Sequence, residues 1–551
     1  MNKNKYLLLG SSLGVLALLI VAAAQEGFRE WRVIQRATQS DEGPLGVRLR
    51  QVVSPGLGTS DRCVSCHVGM DPNEQGVRGG RLMIQHADVV HDTSEFGCTI
   101  CHSGQGLATE KLDAHGEVRF WPEPMIPLQF SQAGCGTCHA SLGMPGLEAF
   151  RQARGAFERL DCLACHRVDG RGGTMRPDGF GMEGPDLSRA ALSGYDPDWY
   201  SKHLLEWEKA ESGSWKAAFA PIGEQDLRLI STYLSTRIGA AKLAEAKVHF
   251  LSNGCLGCHR VSGFGGDEGP DLTRAGEKDP GQVSFAQVQG KHTLANWFSE
   301  HFRSPASLVA DSLMPAVDVS DEEIELLTMY TLSLRRRELP GTYVSKERMR
   351  VEKLEEREFA SDGQTVFSAV CAGCHGKKGE GKQAPGRQVF PAIANPDFLA
   401  LASDEFILET ITQGRPGRKM PSWGTKEAGL KKYEISRAAE YLRKMGGVEF
   451  RTDPKTRRWL SGNSAEGKRL FASACSTCHG AEGEGKEGPA LNNKALLAIA
   501  TDTYLVETIS GGRRRTLMEG FLTPSMARPT LSPAEIEDVV AYIRSWEGVE
   551  K

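Results

Sequence analysis

Hydrophobic residues cluster in a few distinct patterns along the chain. From Tyr6 to Ala24 every position is uncharged and most are apolar, with Lys3 and Lys5 just before. Such a run is long enough to span a bilayer as a helix, and the lysines put the N-terminus in the cytoplasm and the remainder outside. Ala22-Ala23-Ala24 also offers a small-residue cleavage site, as in a secretory signal peptide, although the apolar run exceeds the usual signal core of about 7–15 residues. A retained anchor is the favoured expectation, continued by residues 26–35 with Trp31 near the head groups. Both readings put the rest of the chain across the membrane. With no second span in the sequence, no membrane quinone pocket is expected from this chain alone.

Further along, a helical pattern repeats four times. Ile536, Val539, Val540 and Ile543 have the i, i+3, i+4, i+7 spacing of a buried helix face. The same place in three earlier units is marked by a branched aliphatic residue six before a tyrosine: Leu227/Tyr233, Ile324/Tyr330 and Ile435/Tyr441, matching Ile536/Tyr542. Each unit opens with an apolar helix carrying a phenylalanine: Phe157, Phe250, Phe367 and Phe471. An internal repeat of this kind predicts four similar small domains.

Composition adds little until cysteine is counted. The 551 residues are 40% hydrophobic and 25% charged, an ordinary folded balance, and the net charge of −4 gives no reason to expect nucleic acid. All 14 cysteines fall in seven Cys-x-x-Cys-His motifs: Cys63/Cys66-His67, Cys98/Cys101-His102, Cys135/Cys138-His139, Cys162/Cys165-His166, Cys255/Cys258-His259, Cys371/Cys374-His375 and Cys475/Cys478-His479. Chance would place His at the fifth position about once in forty. The motif reads as covalent attachment of a c-type haem: two thiols bind the vinyl groups and the histidine reaches the iron. Zinc ribbons, disulfides and thioredoxin-like pairs do not require a histidine there seven times. Seven covalent haems c are therefore expected.

The last four units resemble class I cytochrome c domains, whose terminal helices cross beside a haem and whose sixth iron ligand is a methionine on a later loop. The resemblance rests on Cys371-Ala-Gly-Cys-His-Gly and on Gly414-Arg-Pro-Gly-Arg-Lys-Met420-Pro-Ser-Trp. It implies Met420 as a sixth ligand. Gly512-Arg513-x4-Met518 repeats that spacing, with Phe521 in place of Trp423 and Met526 as the rival to Met518. Met314, in Ser-Leu-Met-Pro, is implied for the fifth haem. The fourth unit departs from the pattern, because Ala217 stands in the place of Met314. Trp199-Tyr-Ser-Lys-His203 parallels Trp297-Phe-Ser-Glu-His301, so His203 is the candidate there, against Met175, Met182, His249 or an open iron. His301 reads as a packed or surface residue and His292 as a surface one.

Residues 25–145 hold three motifs, too densely for class I domains, and resemble small multihaem cytochromes with two histidines on each iron. Three histidines lie outside the motifs, His86, His91 and His115, one per haem, with no pairing assignable from spacing. The fold expected is mainly α. It comprises a membrane helix (1–24), a trihaem segment (25–145), haem domains at 146–238 and 239–339, a charged linker (340–358), a haem domain at 359–447, a linker (448–461) and a final haem domain at 462–551. Gly376-x4-Gly381-Lys382 and Gly480-x4-Gly485-Lys486 look like phosphate loops, but they follow a haem motif and lack the Ser or Thr.

This layout is similar to multihaem cytochrome subunits of membrane respiratory complexes that oxidise quinol. The resemblance implies an integral partner, such as a cytochrome b-type subunit, and a soluble or terminal electron acceptor. Electrons would enter at the membrane-proximal trihaem end and leave through the methionine-ligated domains. The alternative is a multihaem reductase or peroxidase with an open site at haem 4; no Cys-x-x-Cys-Lys motif supports it. A sensor or assembly subunit is a third class, for which seven haems are more than needed.

Overall fold

A computed structural model of the chain describes residues 3–74, 76–87, 89, 91–139, 144–173, 184–193, 199, 202, 222–345, 348–349, 362–383, 389–425, 429–526 and 528–548. It is 49% helix and 5% strand. The strands are short antiparallel pairs in the loops, such as Arg260–Val261 with Phe264–Gly265.

The apolar N-terminal run forms one helix, Lys3–Gly27, with no buried residue. Among the described residues it is the one helix long and apolar enough to cross a membrane. It does not continue into the expected interfacial segment. A separate short helix, Glu30–Arg36, follows, and Trp31 is buried in the protein instead of lying near head groups. Gln35 in that helix donates to the Ser65 carbonyl at 2.8 Å, tying it to the first haem motif.

The four-fold repeat appears as four crossed helix pairs: Leu147–Arg159 with Glu224–Ser235, Ala241–Ser252 with Asp321–Ser333, Gly363–Val366 with Lys432–Gly446, and Ser464–Ala474 with Pro533–Ser545. The repeated aromatics meet at each crossing. Ring centroids are 4.8 Å apart for Phe157–Tyr233, 4.5 Å for Phe250–Tyr330, 5.7 Å for Phe367–Tyr441 and 5.6 Å for Phe471–Tyr542. Close approach needs a small residue one turn before each phenylalanine. Ala153 and Ala246 are fully buried there, and a Cβ at Gly363 or Gly467 would strike the carbonyl of Arg437 or Asp538. Capping boxes at Ser320 and Ser532 start two of the closing helices.

The domains share cores unequally. One apolar core runs from Ile126 and Phe130, at the end of the trihaem segment, through the fifth, sixth and seventh domains. The fourth domain has its own, around Phe157, Val168, Ile230 and Tyr233, while Phe150 near the start of its first helix packs into the longer core. The end of the fifth domain and the charged stretch after it are both tied to the trihaem segment where they are described. Arg335 is buried and donates to Ser103 Oγ at 2.6 Å, and Arg348 is buried against the Thr137 carbonyl at 2.8 Å.

Candidate haem sites

Each motif folds as a single tight turn that brings its histidine back over its cysteines. The first cysteine's carbonyl accepts from the histidine N–H at 2.8 Å for Cys63/His67, 3.0 Å for Cys98/His102, 2.9 Å for Cys135/His139 and 2.9 Å for Cys162/His166. Cys255/His259 at 2.9 Å and Cys475/His479 at 3.0 Å repeat it. All fourteen cysteines are free thiols, which removes the disulfide reading. Among the described residues no three His, Cys, Asp or Glu side chains converge as a metal cage.

The expected attachment thiols are not all held alike, although the motif treats them as equivalent. Cys162 packs on the fourth domain's core and Cys475 on the core shared by the later domains. Cys165 and Cys478, expected to attach haem beside them, differ: both are half-buried free thiols, but neither packs against a core among the described residues. They are held through the backbone instead. Cys165 O accepts from Gly184 N at 2.9 Å, and Cys478 O accepts from Gly488 N at 2.8 Å and from Lys486 N at 3.1 Å. The turn rises about 5–6 Å from the first cysteine to the second, so the first stays on the helix pair and the second is carried off it. The assignment of Cys165 and Cys478 to haem therefore rests on the motif and not on a contact made by their sulfur atoms.

In the four helical domains the motif histidine is oriented by a proline carbonyl. Nδ1 lies 2.9 Å from Pro185 O in His166, 2.9 Å from Pro270 O in His259, 2.9 Å from Pro391 O in His375 and 2.8 Å from Pro489 O in His479. A carbonyl is an acceptor only, so Nδ1 carries the proton and Nε2 is left with its lone pair for a metal. Burial lowers the pKa of His259, His375 and His479, so all three rings are neutral near pH 7, as ligation requires. A Cβ at Gly184, Gly269 or Gly488, each just before its proline, would strike the imidazole. These prolines follow their histidines at irregular distances, which hides them in the sequence; a Gly-Pro dipeptide marks three of the four, Pro391 following Phe390 instead.

In the trihaem segment two of the three spare histidines lie opposite a motif histidine. His86 faces His102 with ring centroids 6.0 Å apart, and His91 faces His139 at 6.3 Å. His115 is close enough to His67 that, after burial, its charge lowers the His67 pKa. Two imidazoles on one metal, with bonds of about 2 Å each, have centroids about 6 Å apart. The segment thus fits a metal held between paired rings. His86 Nδ1 lies 2.7 Å from its neighbour's carbonyl, Ala87 O, again leaving Nε2 free.

Buried donors without partners provide a second test of fit. Arg62 Nε, Arg260 Nε, Trp297 Nε1 and Tyr330 Oη are buried beside the first and fifth motifs with no hydrogen-bond partner. A haem brings two carboxylates, the acceptors such donors lack.

The methionine loops of the last two domains are alike in detail. Arg415 N donates to Met420 O at 2.9 Å, and Arg513 N to Met518 O at 2.7 Å. Trp423 and Phe521 are both buried and occupy equivalent positions, donating to Ile411 O and Ile509 O. Met518 is half-buried at the place of Met420, whereas Met526 is fully exposed. Met314 is half-buried against the fifth domain's core. His301 stacks on Trp297 at 4.9 Å, and His292 is exposed against Phe285. His249 lies 3.2 Å from Glu323 inside the fifth domain's helix pair, packed away from the fourth motif. His203, Met175, Met182 and Ala217 lie outside the described residues. The glycine loops over the sixth and seventh motifs close onto the motif itself, Gly381 N to His375 O at 2.8 Å and Gly485 N to His479 O at 2.6 Å.

The cytochrome c family model matches residues 243–335 and 464–547, and the model of subunit III of cbb3-type cytochrome c oxidase matches residues 358–442. The chain is a multihaem c-type cytochrome. Its cytochrome c domains are of the kind that carry haem c, with its iron, covalently. This cytochrome is 33% identical over 198 residues to the cbb3-type cytochrome c oxidase subunit FixP of Bradyrhizobium diazoefficiens, covering 34% of this chain and 60% of the relative. It is 26% identical over 204 residues to subunit CcoP of Azospirillum sp., covering 34% and 62%. The cytochrome therefore spans about three-fifths of the length of these relatives. Among solved structures it is similar to the reducing HAO-like protein complex Kustc0457/Kustc0458 of Kuenenia stuttgartiensis. Identity there is 19% and the TM-score 0.23, covering 33% of this chain and 94% of that one.

Proposed function

We propose that this cytochrome is a membrane-anchored heptahaem electron-transfer protein. Its haem domains lie on the extracytoplasmic side, and it carries electrons from an integral quinol-oxidising partner, such as a cytochrome b-type subunit, to a soluble or terminal acceptor. The observation that supports this reading is the second imidazole beside two of the N-terminal motif histidines, His86 beside His102 and His91 beside His139. An iron ligated on both faces exchanges electrons but offers no position for substrate.

Bound haem supplies a one-electron iron couple. The chain supplies the rest. Paired thiols fix each group covalently at Cys63/Cys66, Cys98/Cys101, Cys135/Cys138, Cys162/Cys165, Cys255/Cys258, Cys371/Cys374 and Cys475/Cys478. His67, His102, His139, His166, His259, His375 and His479 hold the proximal side. His115, His86 and His91 hold the distal side of the first, second and third groups; Met314, Met420 and Met518 hold that of the fifth, sixth and seventh. His203 is the candidate for the fourth. Methionine on the distal side raises the potential relative to a second histidine, so electrons move from the membrane end toward the C-terminus. The likeness to subunits of cbb3-type oxidases supports a respiratory partner.

Electron paramagnetic resonance of the oxidised full chain tests this. Low-spin signals of bis-histidine and histidine–methionine types, without small-molecule turnover, are expected. A high-spin signal from one haem, with peroxide or nitrite turnover lost on mutation of the fourth domain, would instead assign a reductase- or peroxidase-type site to haem 4.

A further inference from the structure

The order of the haem motifs in the sequence is not their order in space. We propose that the third motif delivers electrons directly to the fifth domain, and that the fourth domain is a side branch off the main line. This rests on the electron-transfer reading above.

The third motif is built into the fifth domain. The turn that carries it, Leu128–Thr137, packs on that domain's closing helix, Asp321–Ser333, so tightly that a Cβ at Gly136 would strike the Ser333 carbonyl. Gln132 Oε1 caps the domain's first helix, accepting from Lys242 N at 2.8 Å and Leu243 N at 3.2 Å. Lys247, buried on that helix, donates to the carbonyl of His139 at 2.7 Å. The chain leaving the fifth domain returns to the same motif, with Ser345 Oγ donating to Cys138 O at 2.7 Å.

The line continues without the fourth domain on both sides. Upstream, Asp61 accepts from Cys98 N at 2.5 Å and Thr99 N at 3.0 Å, clamping the second motif to the residues just before the first. A Cβ at Gly134 would strike the Cys101 carbonyl, so the second and third motifs touch backbone to backbone. Downstream, Gly254 and Gly373 leave no room for a side chain between the fifth and sixth motifs, and Cys258 Sγ lies 3.9 Å from Cys374 Sγ. The sixth and seventh domains then meet through equivalent, reciprocal bonds. Asn395 Nδ2 donates to Arg514 O at 2.8 Å and Asn493 Nδ2 to Pro416 O at 3.0 Å, both acceptors lying on the methionine loops.

The fourth domain docks by the wrong end for a relay. Leu147 N bonds Ser252 Oγ at 3.0 Å and Gly146 N bonds Thr365 Oγ1 at 3.0 Å, both at the start of its first helix. Its motif follows the other end, about 18 Å away at 1.5 Å per residue. Among the described residues that motif's polar contacts are with its own domain, at Pro185 and Gly173. Most of its core is separate, with Phe150 near the start of its first helix the exception. Electron tunnelling falls steeply with separation, so the contacts above decide the route.

A cryo-electron microscopy map of the haem-loaded full chain tests the order directly. The third haem is expected nearer to the fifth than to the fourth. A third haem nearer to the fourth, with the fourth in turn near the fifth, would overturn the proposal. Kinetics give an independent check. After a sub-stoichiometric pulse of reductant, electrons on the bis-histidine haems redistribute to the methionine-ligated ones, seen as bleaching of their near-infrared absorption. In Cys162→Ala/Cys165→Ala, shown by intact mass to lack one haem, this internal phase should keep its rate. In Gly136→Val, with all haems retained, it should slow by an order of magnitude. The opposite pattern would overturn the branch. Should either variant lose other haems, the map decides. Absence of the internal phase in the unaltered protein would instead refute the electron-transfer reading, leaving the haem order to the map.

Discussion

Replacing Met420 with alanine should abolish the near-infrared absorption of the sixth domain's ferric haem and lower that domain's potential. The fall should be on the order of 100 mV, a modest part of the range that axial ligands command. Thioether sulfur favours ferrous iron; water or a second histidine favours ferric iron. The seventh domain supplies an internal control, because Met518 sits in a loop with the same backbone bonds. Met518→Ala should remove the second near-infrared contribution, and Met526→Ala, at a fully exposed residue, should remove nothing. Redox titration of each variant checks this. An unchanged spectrum in Met420→Ala would mean that the class I resemblance does not extend to the distal ligand.

The chain made without haem attachment should lack a cooperative unfolding transition. Single domains of this size bury too little apolar surface to be stable easily, and the trihaem segment has only a small core around Leu45, Val68 and Met83. Burial pushes Cys101, Cys255, Cys371 and Cys475 each up to about 12, which keeps these thiols protonated at neutral pH, whereas Cys258, beside Cys374, is lowered to about 7. Calorimetry of haem-free protein made in the cytoplasm checks the dependence; a sharp transition there would contradict it.

The helical repeat was legible because it is local and periodic. Phe157, Phe250, Phe367 and Phe471 recur with their tyrosines at similar offsets, and crossed helices are the one way such faces can be buried in a small domain. The methionine loops were legible for the same reason, being carried by contiguous residues. The choice between Met518 and Met526 needed the loop's backbone bonds, which spacing does not encode. Nor does the motif distinguish Cys165 and Cys478 from Cys162 and Cys475, because which thiol packs on a core depends on helices far away in the chain. What could not be read was whatever joins distant parts of the chain. His86 and His91 are five residues apart yet face different motifs. Trp31 read as interfacial because it follows an apolar run; a break after Gly27 turns it into the protein instead. The charged stretch 340–358 read as a linker because its residues are polar, but a buried arginine can be satisfied by carbonyls, as Arg348 is.

The most direct test of the whole account is the intact mass of the purified full chain, produced in a host with competent c-type haem attachment. The account predicts the polypeptide plus seven covalently bound haems, one for each thiol pair. A mass corresponding to five or fewer would contradict it, because two or more of the motifs would then be doing something else.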